Sequence, residues 1–264
     1  MSELALIVGE GALPGILRRA CPQAEVLGVA GFAPADVPAF GLEEIGRVLA
    51  ELPRRGVRQV CFAGAIRRPR IDPARLDPAT LPLVPRIQAA MGGGDDAALR
   101  TVVAFFEEAG MRVVGAADLM PELLAGAGPL GAVGPDAAAE RDAARAAALL
   151  SATGPADLGQ GCVVAGGQVL AVEALPGTDW MLETIAALRR DGPAVPAGGL
   201  LMKRPKSGQD RRVDLPAIGP DTVRRAAAAG LAGIAVEAGG VLILDRAATI
   251  AAADSAGMFL WGVA

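Results

Sequence analysis

Three short strand-like runs, separated by stretches of helical spacing, set the architecture of the first part of this 264-residue chain. Residues 4–8 (LALIV) stop at Gly9 and lead through Glu10-Gly11-Ala12-Leu13-Pro14 into a helix predicted over about 14–20. Residues 25–29 form the second run, and residues 42–54 carry helical spacing as far as Pro53. Residues 58–63 (RQVCFA) form the third run, closed by Gly64. The apolar 4–8 run reads as a strand buried on both faces, and the other two runs also read as strands. Alternating with helices, they predict a parallel sheet of Rossmann-like type.

Residues 67–86 hold five prolines and predict a loop with short turns. Gly92-Gly93-Gly94 precedes Asp95, a natural N-cap, for a helix over about 96–109 and then a strand at 111–115. Residues 126–136 (GAGPLGAVGPD) read as a linker, which divides the chain into domains 1–130 and 137–264. The second domain begins with an Ala-rich helix at 137–150. Two strands within 161–174 flank Gly166-Gly167 as a hairpin, and a helix at 179–190 has Thr178 or Asp179 as its cap. A strand at 199–203, a helix at 220–229, a second hairpin across Gly239-Gly240 (233–237 and 241–244), a helix at 246–255 and a strand at 258–263 complete it. The expected class is α/β, with two α/β domains and a mixed sheet in the second.

The absences narrow the chemistry. The chain has no His and no Tyr, which removes a Ser-His-Asp triad, a Cys-His pair and any His-ligated metal. Cys21, Cys61 and Cys162 are far apart among apolar neighbours, fitting neither a zinc site nor a disulfide framework. Twenty-nine acids against 25 bases give a net charge of −4, which argues against a nucleic-acid partner. No apolar run reaches the roughly 18 residues of a membrane span, and the N-terminus lacks a signal layout, so the expected location is the cytoplasm.

Chemistry must therefore run on carboxylates, Lys, Arg, hydroxyls and backbone. Gly9-Glu10-Gly11 could present amides to a phosphate, or be a plain strand-to-helix turn. The dinucleotide fingerprint needs a third Gly at position 14, which is Pro. Gly64 leads to Arg67 and Arg68 at a strand end, where an arginine can grip a phosphate or simply be solvated. Asp95 and Asp96 open a helix as caps or as Mg²⁺ ligands. Glu173 and Asp179, six residues apart, are placed to converge on one cation. Among 25 cationic residues only Lys203 and Lys206 are lysines, and they lie three apart in a loop with Asp210 and Asp214, ahead of Asp221. Compact ammonium charges beside carboxylates suggest a metal-assisted phosphoryl site. Structural caps and ion pairs are the alternative, and composition does not separate the two.

The series GEGALP, FAGAIRRP, GDDAALR, LGQG, LAVEALPGTDWML, KRPKSGQDRRVDLPAIGPDTV, AGLAGIAVEAG and AADSAGMFLWG runs in order along the chain. It resembles the LpxI family, the UDP-2,3-diacylglucosamine pyrophosphatases of lipid A synthesis, most densely over residues 159–263. The resemblance implies two α/β domains with the lipid between them, and Mg²⁺-dependent hydrolysis to UMP and 2,3-diacylglucosamine 1-phosphate (lipid X). It also implies a cytoplasmic enzyme in peripheral contact with the inner membrane, and leaves a homodimer open.

Carried over by motif, Asp221, Asp214, Lys203 and Lys206 become the catalytic candidates, with Asp221 in the Gly-Pro-Asp-Thr stretch foremost. Gly11, Gly64, Thr178 and Gln209, together with Arg67, become the substrate-binding set. Asp179, Glu173, Asp95 and Asp96 become the metal set; Pro14, Pro69 and Glu237 also sit at motif positions. Pro176 and Ser207 depart from the family pattern, the first standing where an acid is expected. A nucleotide-sugar-binding regulatory protein and an NAD(P)-dependent Rossmann oxidoreductase are the competing readings. Turnover separates the first, and cofactor absorbance the second.

Overall fold

The computed structural model describes residues 2–66, 71–92 and 95–264, the side chains of Met91, Asp95 and Asp96 excepted. It divides into two compact units, Met1–Pro121 and Glu122–Ala264.

In the first unit, β1 (Leu4–Val8), β2 (Glu25–Val29), β3 (Ala39–Phe40), β4 (Gln59–Ala63) and β5 (Arg112–Val113) form one sheet in the order β3-β2-β1-β4-β5. Every pairing in it is parallel. Helices α1 (Leu13–Ala20), α2 (Ile45–Arg54), α3 (Val84–Met91), α4 (Asp95–Glu108) and α5 (Ala116–Leu119) connect and follow the strands. Ala5, Leu6, Ile7 and Val8 are all fully buried, as a central parallel strand requires. The turn before α2 is closed by Glu44, whose carboxylate accepts the Gly41 N–H at 3.1 Å. That bond, with Arg47, holds the Glu44 carboxyl below its ordinary range. Helix α3 begins inside the stretch read as loop. Its proline lies in the first turn, where a missing N–H costs nothing.

In the second unit, β6 (Gly128–Pro129), β7 (Gly161–Ala165), β8 (Gln168–Val172), β9 (Leu200–Lys203), β11 (Gly233–Glu237) and β13 (Phe259–Val263) form a mixed sheet in the order β6-β13-β11-β9-β7-β8. Its helices are α6 (Ala137–Thr153), α7 (Gly177–Asp191), α8 (Pro220–Ala228) and α9 (Arg246–Ser255). Val163, Leu201, Ile234, Val236 and Leu260 pack one face of the sheet against α7, α8 and α9. Cys162, Val164, Leu200, Met202, Ala235 and Phe259 pack the other against the small Ala139, Ala143 and Ala146 of α6. Asp136 caps α6 by accepting the Ala139 N–H at 2.8 Å. The Gly166-Gly167 hairpin forms as the sequence predicts, and the buried Asp142 of α6 accepts both turn amides, at 3.0 and 2.6 Å.

Three expectations change. The division falls at Pro121, and the 126–136 segment belongs to the second unit, where β6 pairs antiparallel with β13. Proline is tolerated there because β6 is an edge strand. The second hairpin does not form. β11 is flanked by β9 and β13, while β12 (Leu242–Ile243) pairs in parallel with β10 (Ala217–Ile218) in a separate two-stranded sheet. Finally, neither Thr178 nor Asp179 caps α7, which starts at Gly177 and leaves both inside its first turn.

Candidate active site

Parallel strands with helical crossovers gather strand carboxyl ends and helix N-termini on one edge of a sheet, the edge where ligands bind. In the second unit β8, β9, β11 and β13 run the same way, since β7 is antiparallel to both β8 and β9. The crossovers therefore bring the N-termini of α7, α8 and α9 to the edge where Lys203 ends β9 and Glu237 ends β11.

Lys203 is only 7% exposed, an unusual place for an ammonium. Its Nζ donates to Thr178 Oγ1 at 2.7 Å, and the Thr178 hydroxyl donates to Glu173 Oε1 at 3.0 Å. Glu173 Oε2 lies 3.7 Å from the same Nζ, in ion-pair range. It is buried and has no hydrogen-bond partner among the described residues.

The 204–216 loop is held over this edge by polar contacts. Its first amide, Arg204 N–H, donates to Gln160 O at 3.0 Å. Lys206 Nζ pairs with Asp157 at 2.5 Å. Gln209 Nε2 donates to Asp214 Oδ2, which also accepts from Gln160 Nε2 at 3.3 Å. Arg204 and Arg211 converge on Glu237 at 3.0 and 2.9 Å, and Arg204 also donates to Ser151 Oγ at 2.9 Å. Asp157, Gln160, Arg204 and Arg211 are not among the expected site residues, although Gln160 lies inside the LGQG motif and both arginines lie inside KRPKSGQDRRVDLPAIGPDTV.

The two expected cation ligands of this unit do not converge. Glu173 is committed to Thr178 and Lys203, whereas Asp179 pairs with Arg225 at 3.4 Å. Among the described residues no group of three or more His, Cys, Asp or Glu is placed to hold a metal ion. The two lysines part company too, each with its own carboxylate. Asp221 stands in the first turn of α8 with its side chain 82% exposed, paired with Arg224.

Gly11 and Gly64 lie in the first unit, after β1 and β4, between which the strand order reverses. Reciprocal bonds at 2.9 Å join Glu10 and Ala65 there. A Cβ on Gly64 would sit 2.4 Å from the Glu10 carbonyl oxygen and 2.9 Å from Pro14, so only glycine lets the two loops meet. Such a switch point is where α/β sheets take nucleotides. Arg67 and the side chains of Asp95 and Asp96 lie outside the described residues. Burial pushes the thiols of Cys61 and Cys162 up to about 12, which leaves them protonated and inert.

Comparison with known proteins agrees with both units. The LpxI N-terminal domain family matches residues 3–123 and the LpxI C-terminal domain family matches residues 126–261. The UDP-2,3-diacylglucosamine pyrophosphatase LpxI of Caulobacter vibrioides is 42% identical over 274 residues, covering 100% of this chain and 98% of the relative.

Proposed function

This chain belongs to the LpxI family, and on that premise we propose that it hydrolyses UDP-2,3-diacylglucosamine to UMP and 2,3-diacylglucosamine 1-phosphate. The observation that carries this reading is the end-to-end match to a relative of that name. The buried Lys203 supports it, because an ammonium with so few protein partners at the carboxyl edge of a sheet suits a pyrophosphate.

Water attacks the sugar-side phosphorus. The bond from that phosphorus to the bridging oxygen breaks, and UMP leaves with the bridging oxygen. Asp221 takes the proton of the attacking water, and Lys203 and Lys206 neutralise phosphate charge. Gln209 and Asp214 keep the loop that carries Lys206 in place. Mg²⁺ is a requirement of this activity and, when bound, would add charge neutralisation at the pyrophosphate. The donor set is carboxylate-rich and free of His, which suits a hard cation. Mg²⁺ commonly rests on one or two carboxylates plus substrate phosphates, so a three-ligand cage is not needed.

No described helix is long and apolar enough to cross a membrane. Contact with the inner-membrane surface is instead supported by large apolar side chains left in solvent beside the Thr178 turn. These are Leu175 at 92% exposure and Trp180 at 56%, with Leu158 nearby in sequence to Gly159. Tryptophan suits a membrane–water boundary.

Incubation of the purified protein with UDP-2,3-diacylglucosamine and Mg²⁺ in ¹⁸O-water tests the reading. UMP without label and a labelled sugar phosphate are expected. Intact substrate rejects the activity, and label confined to UMP rejects the site of attack.

A further inference from the structure

The Glu173 carboxylate sits where a metal ligand was expected, yet its surroundings are those of a lysine holder. An ammonium has three protons and no lone pair, so Lys203 donates to Thr178 Oγ1. That leaves the hydroxyl proton for Glu173 Oε1. The carboxylate only accepts, so the chain of bonds runs one way, from Lys203 through Thr178 to Glu173. Glu173 Oε2 adds the opposite charge at 3.7 Å without taking a proton from Nζ. Among the described residues Thr178 alone takes a hydrogen bond from Nζ, so two ammonium protons are left for a ligand.

The backbone is cut to fit this carboxylate. Gly159 N–H donates to Glu173 O at 2.9 Å, and Glu173 N–H donates to Gly161 O at 2.8 Å. A Cβ on Gly159 would lie 2.4 Å from the Glu173 carbonyl oxygen, and one on Gly161 would lie 2.7 Å from Oε2. Gly161 is also the cross-strand partner of Lys203 in the β7–β9 register. The two glycines of the LGQG segment thus leave room for one acid, at the place where that acid meets Lys203.

We infer that Glu173 and Thr178 are positioning residues that aim the Lys203 ammonium, and that Gly159 and Gly161 form the seat that holds Glu173. The inference rests on the reading of Lys203 as the pyrophosphate-binding ammonium. Glu173 and Thr178 touch no reacting atom; they fix the direction of a side chain that does. Ordinarily a buried ammonium is costly unless it is paired. Here the pairing uses one of its three protons.

Residues that act as a unit lose their effects together rather than multiplicatively. The test is a pair of kinetic cycles on UDP-2,3-diacylglucosamine hydrolysis, with UMP release as readout. Thr178→Val should lower kcat/KM about tenfold or more, and Thr178→Ser should stay within about threefold of wild type. Glu173→Gln keeps the shape and the acceptor, removes the charge, and should also lose about tenfold. In a Lys203→Met background both substitutions should change the residual rate by less than about twofold. Glu173→Gln serves if Thr178→Val does not fold. Losses that multiply across the cycle, or a Lys203→Met enzyme at the wild-type rate, overturn the inference. Failure of the unaltered protein to release UMP is a different result, and rejects the proposed function itself.

Discussion

Lys206 is joined at 2.5 Å to Asp157, one of the non-glycine residues held in left-handed backbone, at φ 52°. The partners are 49 residues apart in sequence, and the Lys206 side chain is largely covered. The pair ties the 204–216 loop to the segment before β7. Lys206→Met is expected to lower kcat/KM about tenfold, near 1.4 kcal/mol of transition-state binding. Asp157→Asn keeps the left-handed backbone accessible and should reproduce most of that loss. Wild-type kinetics for both variants would mean the pair is only a surface tie.

Asp221 gives a sharper contrast between stability and rate. Its exposed pair with Arg224, one helical turn away, is worth only about 0.3–0.5 kcal/mol. Asp221→Asn should therefore melt within a degree or two of the parent. Turnover should fall by about two to three decades, as for loss of a positioned proton acceptor. Near-parental turnover would reduce Asp221 to a helix-start residue and pass the role to Asp214 or Asp179.

Chelation is the test of the cation. Excess EDTA should abolish hydrolysis, and added Mg²⁺ should restore it. Full activity in EDTA, with no metal found by elemental analysis, would falsify the Mg²⁺ requirement.

The buried thiols set an alkaline limit on stability. Cys61 and Cys162 are pushed up to about 12 by burial, against an ordinary 9.0. An acid whose folded value is raised contributes stability that is whole below the ordinary value and is lost as pH rises through the folded one. With no Tyr and two Lys in the chain, few other side chains titrate in that window. The melting temperature should fall between about pH 9 and pH 12. Replacing both cysteines with Ala should flatten that fall and leave turnover at pH 8 intact. An unchanged slope would contradict the assignment.

Asp142 offers a control far from the chemistry in role. Its carboxylate serves the two amides of the Gly166-Gly167 turn, and Asp142→Ala strips both. The expected cost is about 0.5–1.5 kcal/mol of stability per lost bond, since the exposed turn amides can turn to water, with kcat unchanged at temperatures where the variant is folded. A catalytic defect in the folded variant would tie the hairpin to the reaction.

What could be read from the sequence was local. The segments at 4–8, 25–29 and 58–63 became parallel strands because helical stretches alternate with them and carry the chain back across the sheet. The Gly166-Gly167 turn announced its hairpin because both glycines take positive φ. Gly239-Gly240 looked alike, yet β11 already had a neighbour on each side and β12 was left for β10. Competition among strands for partners is not written in any window. The site followed the same rule. Lys203, Thr178 and Glu173 were individually visible, but their shared chain of bonds depends on the β7–β9 register. Asp157 meets a loop residue 49 positions away and gave no nearby cue, while Gln160, 54 positions from its partner, showed only as part of the LGQG motif.

The small β10–β12 ribbon carries a mechanical consequence. Leu242 N–H bonds Pro216 O and Leu244 N–H bonds Ile218 O, both at 2.9 Å, just before the first turns of α8 and α9. The two helix starts are thereby riveted together. A ligand that draws the Asp221 turn inward cannot bend α8 alone; it must drag the Asp245 turn of α9 with it or break the ribbon. The amide protons of Leu242 and Leu244 thus form a strain gauge for that edge of the sheet. Their exchange with deuterated solvent records whether the edge yields as one piece.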